Sequence, residues 1–299
     1  IEIVYLNAKG SNDSKVHISG IVDASPDYLM VELNLHAPSA SLDAALQDAL
    51  PIGLQNVMGR LFNSAAYTKI EHALQNSYGS TYKFGGVIGL DLDILHDSRL
   101  SQDVTVQGEV SFEDVGILYD GFPFPVTLQR GMVIVNTEGV FIPDGEVILF
   151  EGAGGGNGEV RGSIDFLPDG SSSPNLQFNL ANEWVTPALL KAVSYASGES
   201  HDLALGVLTG LGIESRLTAV GNIIGNKEGG IDTDFLVGIS EGEAVLNRHF
   251  SDAIHAAGPF WPEGFLLEGI NAKIKIKNGV ITMDGATCEC GIGSVEVSM

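Results

Sequence analysis

Several stretches of the chain carry residue types that could do chemistry. Gly238-Ile239-Ser240-Glu241-Gly242 fits G-x-S-x-G, where a serine on a sharp strand-to-helix turn attacks a carbonyl. That chemistry needs a parallel α/β sheet beneath the serine, and the surrounding strands read as a consecutive meander, so a turn with a helix cap is expected. His249, Asp252 and His255 recur at helical spacing, but no fourth ligand completes a metal shell, and a solvated helix face is expected. Asp91/Asp93 and Asp232/Asp234 are D-x-D pairs with oxygen ligands suited to calcium; on strands they read as solvated positions. Cys288 and Cys290 lie two apart, so both thiols share one strand face. A disulfide at that spacing is strained, and no second Cys/His cluster completes a zinc site, so two small buried thiols are expected. The glycines at 152, 154, 155, 156 and 158 are not G-x-G-x-x-G and open into a strand, which cannot offer a helix N-terminus to phosphate. A flexible hairpin loop is expected there. No acid/base pair is marked, so neither a catalytic residue nor a metal nor a cofactor is expected.

The elements that would carry these residues are strands. Val104, Val106, Val110 and Phe112 alternate with Thr105, Gln107, Glu109 and Ser111, the period of a half-buried strand. A proline-broken turn at 119–125, a strand ending at Asn136, a Thr137-Glu138-Gly139 turn and further strands to Phe166 make a meander. Further strands are expected near 2–6, 15–23, 28–35, 81–95, 176–180, 213–224 and 231–240. Leu29, Val31, Leu33 and Leu35 face inward on one of them, and Ile88, Leu90, Leu92 and Ile94 on another. Helices are expected from Pro38 to Leu50, over about 54–76 (Leu54, Val57, Met58, Leu61, Phe62, Ile70, Leu74), from Thr186-Pro187 onward, over about 201–211, and over about 242–256 with Val245, Leu246, Phe250 and Ile254 inward. Ile274 and Ile276 alternate with Lys273, Lys275 and Lys277, the one basic strip.

The pattern repeats. Gly20 and Gly162 begin similar stretches 142 residues apart; Pro123 matches Pro262 at 139 and Gly139 matches Gly279 at 140. Three units are read, at 1–100, 101–212 and 213–299, each a meander, the first two with a helical segment. The chain begins inside one copy, so it is expected to be a piece of a longer protein. Its 299 residues are 44% hydrophobic, yet no run of ~18 apolar residues is present to span a membrane. A net charge of −23 speaks against nucleic-acid binding and against docking on anionic lipid, and favours solubility. Nearly every strand has one apolar face, and so large a face must be covered by helices, by a second sheet, by its own curling or by an apolar ligand.

The stretch Gly20-Ile21-Val22-Asp23 … Leu29-Met30-Val31-Glu32-Leu33-Asn34-Leu35-His36-Ala37-Pro38 … Leu42-Asp43 … Ala49-Leu50-Pro51 resembles the AsmA-like repeat of Gram-negative envelope proteins, the group with the TamB and YhdP types. So does Gly108-Glu109-Val110-Ser111-Phe112 … Tyr119 … Phe122-Pro123-Phe124-Pro125 … Gly131. The group is similar in architecture to bridge-like lipid-transfer proteins. The resemblance implies an elongated, curved antiparallel sheet, a β-taco with a hydrophobic groove along its length, a periplasmic location, an inner-membrane anchor outside this stretch, and lipid movement between membranes that sustains the outer membrane. The expected fold is therefore mainly β with a few short helices, built from repeats of about 140 residues. The expected function is non-enzymatic lipid binding or transfer, with phospholipid or another acyl-chain ligand as partner, other envelope proteins as further partners, and no nucleic acid. The alternative is a scaffold module whose apolar face closes on itself. The groove candidates are Leu29, Val31, Leu33, Ile88, Leu90, Leu92, Val104, Val106, Val110, Phe178, Phe235, Val237, Ile274 and Ile276.

Overall fold

A computed structural model of the protein describes residues 2–9, 15–42, 44–49, 52–61, 84–100, 104–119, 123–196, 212–226, 230–246, 265–278, 280–290 and 293–297. They form fifteen strands and three short helices. The strands are β1 (Glu2–Lys9), β2 (Lys15–Ala24), β3 (Leu29–Ser41), β4 (Val87–Asp97), β5 (Thr105–Leu118), β6 (Pro125–Asn136), β7 (Gly139–Phe141), β8 (Ile148–Gly152), β9 (Asn157–Phe166), β10 (Ser172–Trp184), β11 (Ile213–Gly225), β12 (Ile231–Leu246), β13 (Phe265–Lys277), β14 (Val280–Cys290) and β15 (Gly293–Val297). The helices are α1 (Ala44–Ala49), α2 (Ile52–Leu61) and α3 (Pro187–Ala196).

Every strand joins one antiparallel sheet in sequence order, with β7 and β8 sharing a single position between β6 and β9. β1 and β15 lie at opposite edges, so the sheet is open. The pairing runs without interruption across 100 and 212, where the expected units divide. In such a meander, alternate connections fall at opposite ends of the sheet. One end carries short turns with local side-chain caps. Asn136 Oδ1 accepts from the Glu138 and Gly139 amides at 2.7 and 3.1 Å, and Asp169 Oδ1 accepts from the Ser171 amide at 2.9 Å. The other end carries the connections that hold α1 and α2, between β3 and β4, and α3, between β10 and β11.

Several strands run further than their alternation suggests, because a bulge resets the period. β3 passes through Pro38 to Ser41, with its register slipping between Ala37 and Ala40. The helix expected from Pro38 therefore starts only at Ala44; a bulge is where a strand tolerates the proline's missing N–H. β12 continues to Leu246, so 242–246 is strand and not the start of a helix. Glu241, at φ 52°, sits at the slip between Ile239 and Gly242. The Gly238–Gly242 motif is thus a bulged strand with Ser240 exposed, neither an elbow nor a turn with a cap. α3 begins as expected, with Thr186 Oγ1 accepting from the Leu189 amide at 3.0 Å and Pro187 in its first turn. Helical positions expected at 62–76, 201–211 and 247–256, among them Phe62, Ile70, Leu74, His249, Phe250, Asp252, Ile254 and His255, lie outside the described residues.

The buried core is centred on β3–β5 and β8–β9. Ala37, Ile88, Leu90, Leu92, Val106, Phe112, Ile148, Phe150 and Val160 form one cluster, against which Leu42 and Leu46 of the helical connection pack.

Candidate apolar binding face

The register shows how the apolar residues gather. Opposite residues in adjacent strands share a face, so each cross-strand row can be followed over the sheet. Leu33 lies opposite Ile94, and Ile94 opposite Val106. Ala37, Leu90, Val110 and Val133 form another row. Val160, Phe178, Gly221, Phe235 and Ile276 form a third, and Gly158, Leu180, Ala219, Val237 and Ile274 a fourth. All are on one side, so a single apolar face runs from β2 to β13.

Glycines make room for rings on this face. A Cβ at Gly158 would strike the Phe150 ring, one at Gly221 the Phe235 ring, and one at Gly131 the Phe112 ring at 2.7 Å. The freed space lets Phe150 meet Phe178 edge-on at 6.5 Å and Phe178 meet Phe235 at 6.5 Å, an aromatic row across β8–β12. Phe112 and Phe150 are absent from the sequence-derived groove set. Alternation already put Phe112 on the apolar face, but which glycine each ring faces is revealed only by the pairing register.

The face is not uniformly covered. Ile88, Leu90, Leu92 and Val106 are buried within the core cluster. Val31, Leu33, Val110, Phe178, Phe235, Val237, Ile274 and Ile276 are only half-buried. Two candidates depart from expectation. Val104 precedes β5 and is 53% exposed, and Leu29 starts β3 beside the short turns at 39% exposure. Neither has strand neighbours on both sides to cover it.

The opposite face is mostly polar, with Ile21, Leu95, Val220 and Leu236 among its exposed apolar residues. Asp91 and Asp93 point out beside Glu109 and Gln107, and His36 Nδ1 lies 3.6 Å from Asp91. Lys275 and Lys277 approach Asp234, each at 4.0 Å. Exposed pairs of this kind add little stability. Cys288 is half-buried, where the sequence predicts a fully buried thiol. Among the described residues, no group of three or more His, Cys, Asp or Glu is placed to hold a metal ion.

One carboxylate interrupts the apolar face. Glu183 lies opposite Leu217, just past the slip at which Asn182 adopts φ 58°, and is fully buried. Its Oε1 accepts from the Gly154 amide at 2.5 Å and its Oε2 from the Gly156 amide at 2.8 Å. A Cβ at Gly152, Gly154 or Gly156 would collide with it. The glycine run is therefore a hairpin, as expected, but it is packed around a carboxylate and not loose. Burial pushes the Glu183 carboxyl above its ordinary value and the nearby Glu151 charge adds to this, while the two amides pull it back. The same turn supports α3: a Cβ at Gly154 would approach the Thr186 methyl to 2.9 Å, and Thr186 is fully buried.

α2 packs against β5 and β10 at once. Leu54 and Val57 are its buried side chains. Asn56 Nδ2 donates to the Gly170 carbonyl in the β9–β10 turn at 2.6 Å, and Arg60 Nη2 donates to Tyr119 Oη, beyond the end of β5, at 2.6 Å. No helix among the described residues is long and apolar enough to cross a membrane. Comparison of the chain with protein-family models, with curated proteins and with solved structures finds no match.

Proposed function

We propose that the chain is a non-enzymatic lipid-binding or lipid-transfer module, whose apolar sheet face is the wall of a trough for acyl chains. The observation that carries this reading is the continuous apolar face on an open sheet, half-exposed over β10–β13, while the reverse face is mostly polar with Val220, Ile224 and Leu236 exposed among its polar residues. Ordinary folded proteins seldom leave so long an apolar surface without an occupant. An acyl chain suits such a wall because it needs contact area and no specific polar partner. Each methylene buried contributes roughly 0.8 kcal/mol.

Two features favour a curved trough over a flat sheet. The path from β5 to β10 crosses four strand spacings, about 19 Å of sheet. A single helix, about 10 Å across, touches both strands, which is natural if the sheet bends round it. Repetition is the second. Gly20 and Gly162 each lie opposite a leucine of the next strand, Leu33 and Leu176, at φ 139° and 117°. A Cβ on either would overlap the neighbouring strand's carbonyl, of Glu32 and Asn175. Gly108, opposite Leu92 at φ 149°, makes the same approach to the Asp91 carbonyl, so the device recurs along the sheet and not only at the 142-residue spacing. With the AsmA-like resemblance of the sequence, this reading extends to a periplasmic setting, within a longer inner-membrane-anchored envelope protein that moves phospholipid and sustains the outer membrane.

A scaffold role is the second reading, favoured by the closed packing over β3–β5 and β8–β9, where the face covers itself. Native mass spectrometry of protein purified without detergent, followed by lipid extraction, separates the two. Co-purifying phospholipid is expected. A cooperatively folded protein whose mass carries no lipid, and which takes up none from vesicles, would put the scaffold reading in its place.

A further inference from the structure

We propose that His17 and His36 form a two-histidine site for a borderline divalent metal ion such as Zn2+ or Ni2+, with Asp91 as the positioning carboxylate behind His36. The site lies on the polar face of β2 and β3, away from the apolar wall, and does not depend on the lipid reading. His17 and His36 are directly opposite each other in the antiparallel pair. Residues so paired point to one side with Cβ atoms roughly 4.5–5.5 Å apart, so two strands can each offer a side chain to one ion. The rings are already side by side, their centres 6.3 Å apart and their planes 18° from parallel. Two imidazoles on one ion, each with a nitrogen about 2.0–2.1 Å away, have ring centres at most about 6.5 Å apart. The pair is within that reach, and a turn about the Cβ–Cγ bond, a broad torsion in histidine, aims the nitrogens. Asp91 faces His36 from the next strand, with its Oδ2 3.6 Å from His36 Nδ1. A carboxylate there favours the proton on Nδ1 and leaves Nε2 as the ligand, as carboxylates behind metal-bound histidines do. Both side chains are more than half exposed, at 52% and 59%, so an ion enters from solvent and water fills its remaining positions. Glu32, Asp93 and Glu109 lie on the same face around the row and draw a cation toward it. Bound there, the ion joins β2 to β3 beside the edge strand β1.

The test is calorimetric titration of the full chain with Ni2+, in a Cys288→Ser, Cys290→Ser background that removes the thiols as competing ligands. His17→Gln and His36→Gln are each expected to lower the affinity of one site at least tenfold. Asp91→Asn should lower it about tenfold, and Asp91→Glu should recover most of that loss. His96→Gln is the control, because His96 lies opposite Val31 on the apolar face, and it should leave the site unchanged. Urea unfolding separates binding from folding. Without metal, the midpoints of all forms should stay alike. Added Ni2+ should raise the midpoint of the background protein and of His96→Gln, and not that of His17→Gln or His36→Gln. Equal affinity with and without either histidine, loss in only one of the two histidine variants, or no uptake by the background protein would overturn the site. Binding that needs both histidines but is unmoved by Asp91→Asn would overturn the positioning role of Asp91 and leave the pair standing.

Discussion

A buried carboxylate on an apolar face persists only where its oxygens find donors, and Glu183 finds two backbone amides supplied by glycines that leave it room. Glu183→Gln keeps one carbonyl oxygen but turns an NH2 group toward the other amide, so a donor faces a donor. The change is expected to destabilise the protein by about 2 kcal/mol at neutral pH, read as a shift of the urea midpoint at constant slope. The pH dependence has a definite sign. A carboxyl raised above its ordinary value of 4.5 contributes stability that is full below 4.5 and is lost as pH rises through the raised value. The gap between the native protein and Glu183→Gln should therefore widen as pH is lowered toward 4.5. A gap that stays constant, or narrows, would mean the two amides outweigh burial. Little of this was legible in the sequence. The glycines at 152–158 announce a turn, but their partner lies 27 residues beyond Gly156, and composition cannot connect them. Alternation put Phe112 on the apolar face, but the pairing of Phe112 and Phe150 with their facing glycines was hidden for the same reason: a glycine in a strand says that something approaches closely, not what.

At the scale of elements, alternation located the strands well, because one face is apolar throughout and a slip of one residue would expose it. It failed where bulges reset the period. The stretch Gly242-Glu243-Ala244-Val245-Leu246 has helix-favouring residues, yet pairing with β11 and β13, Ala244 against Ile213 and against Leu267, holds it in a strand. α3 was legible because its cap is local: Thr186 and Pro187 adjoin the helix they start. Thr186→Ala should cost about 1 kcal/mol and lower the thermal midpoint by a few degrees. Close strand approach gives a sharper expectation. Gly108 adopts φ 149°, and a Cβ there would overlap the Asp91 carbonyl just as one at Gly162 would overlap that of Asn175. Gly108→Ala and Gly162→Ala should each destabilise by more than about 2 kcal/mol, because the backbone of a packed sheet must move. Gly145, at φ 83°, has open space around it, so Gly145→Ala carries the backbone strain alone and should cost less. Equal losses at all three in chemical denaturation would show that strand approach is not what fixes these glycines.

Over the described residues, the whole molecule combines a mostly polar, acidic outside with an apolar face that the three described helices cover only in part. That division decides which residues can test the function. Leu90 and Val106 were natural choices from the sequence, but at 6% and 8% exposure they are structural, and a charge there would unfold the sheet. Phe235 is half-buried on the same face, over Gly221 and beside Phe178, where an acyl chain could reach it. On the reverse face, Val220 lies opposite Leu236 in the same pair of strands and is 52% exposed. Phe235→Asp and Val220→Asp thus add the same charge to the same pair of strands, to opposite faces. A net charge of −23 becomes −24 in both, so long-range repulsion changes alike and cancels from the comparison. If the face is a lipid wall, Phe235→Asp should weaken cis-parinaric acid binding at least tenfold, since an ionised carboxylate on the wall must be desolvated by the chain. Val220→Asp should leave affinity unchanged, and both proteins should unfold cooperatively in urea. Should the two variants bind alike, the half-exposed stretch over β10–β13 is not the wall, and the sheet's apolar face serves as a core closed by its own chain. The two outcomes differ in one measured affinity ratio, and neither depends on how much stability either aspartate removes.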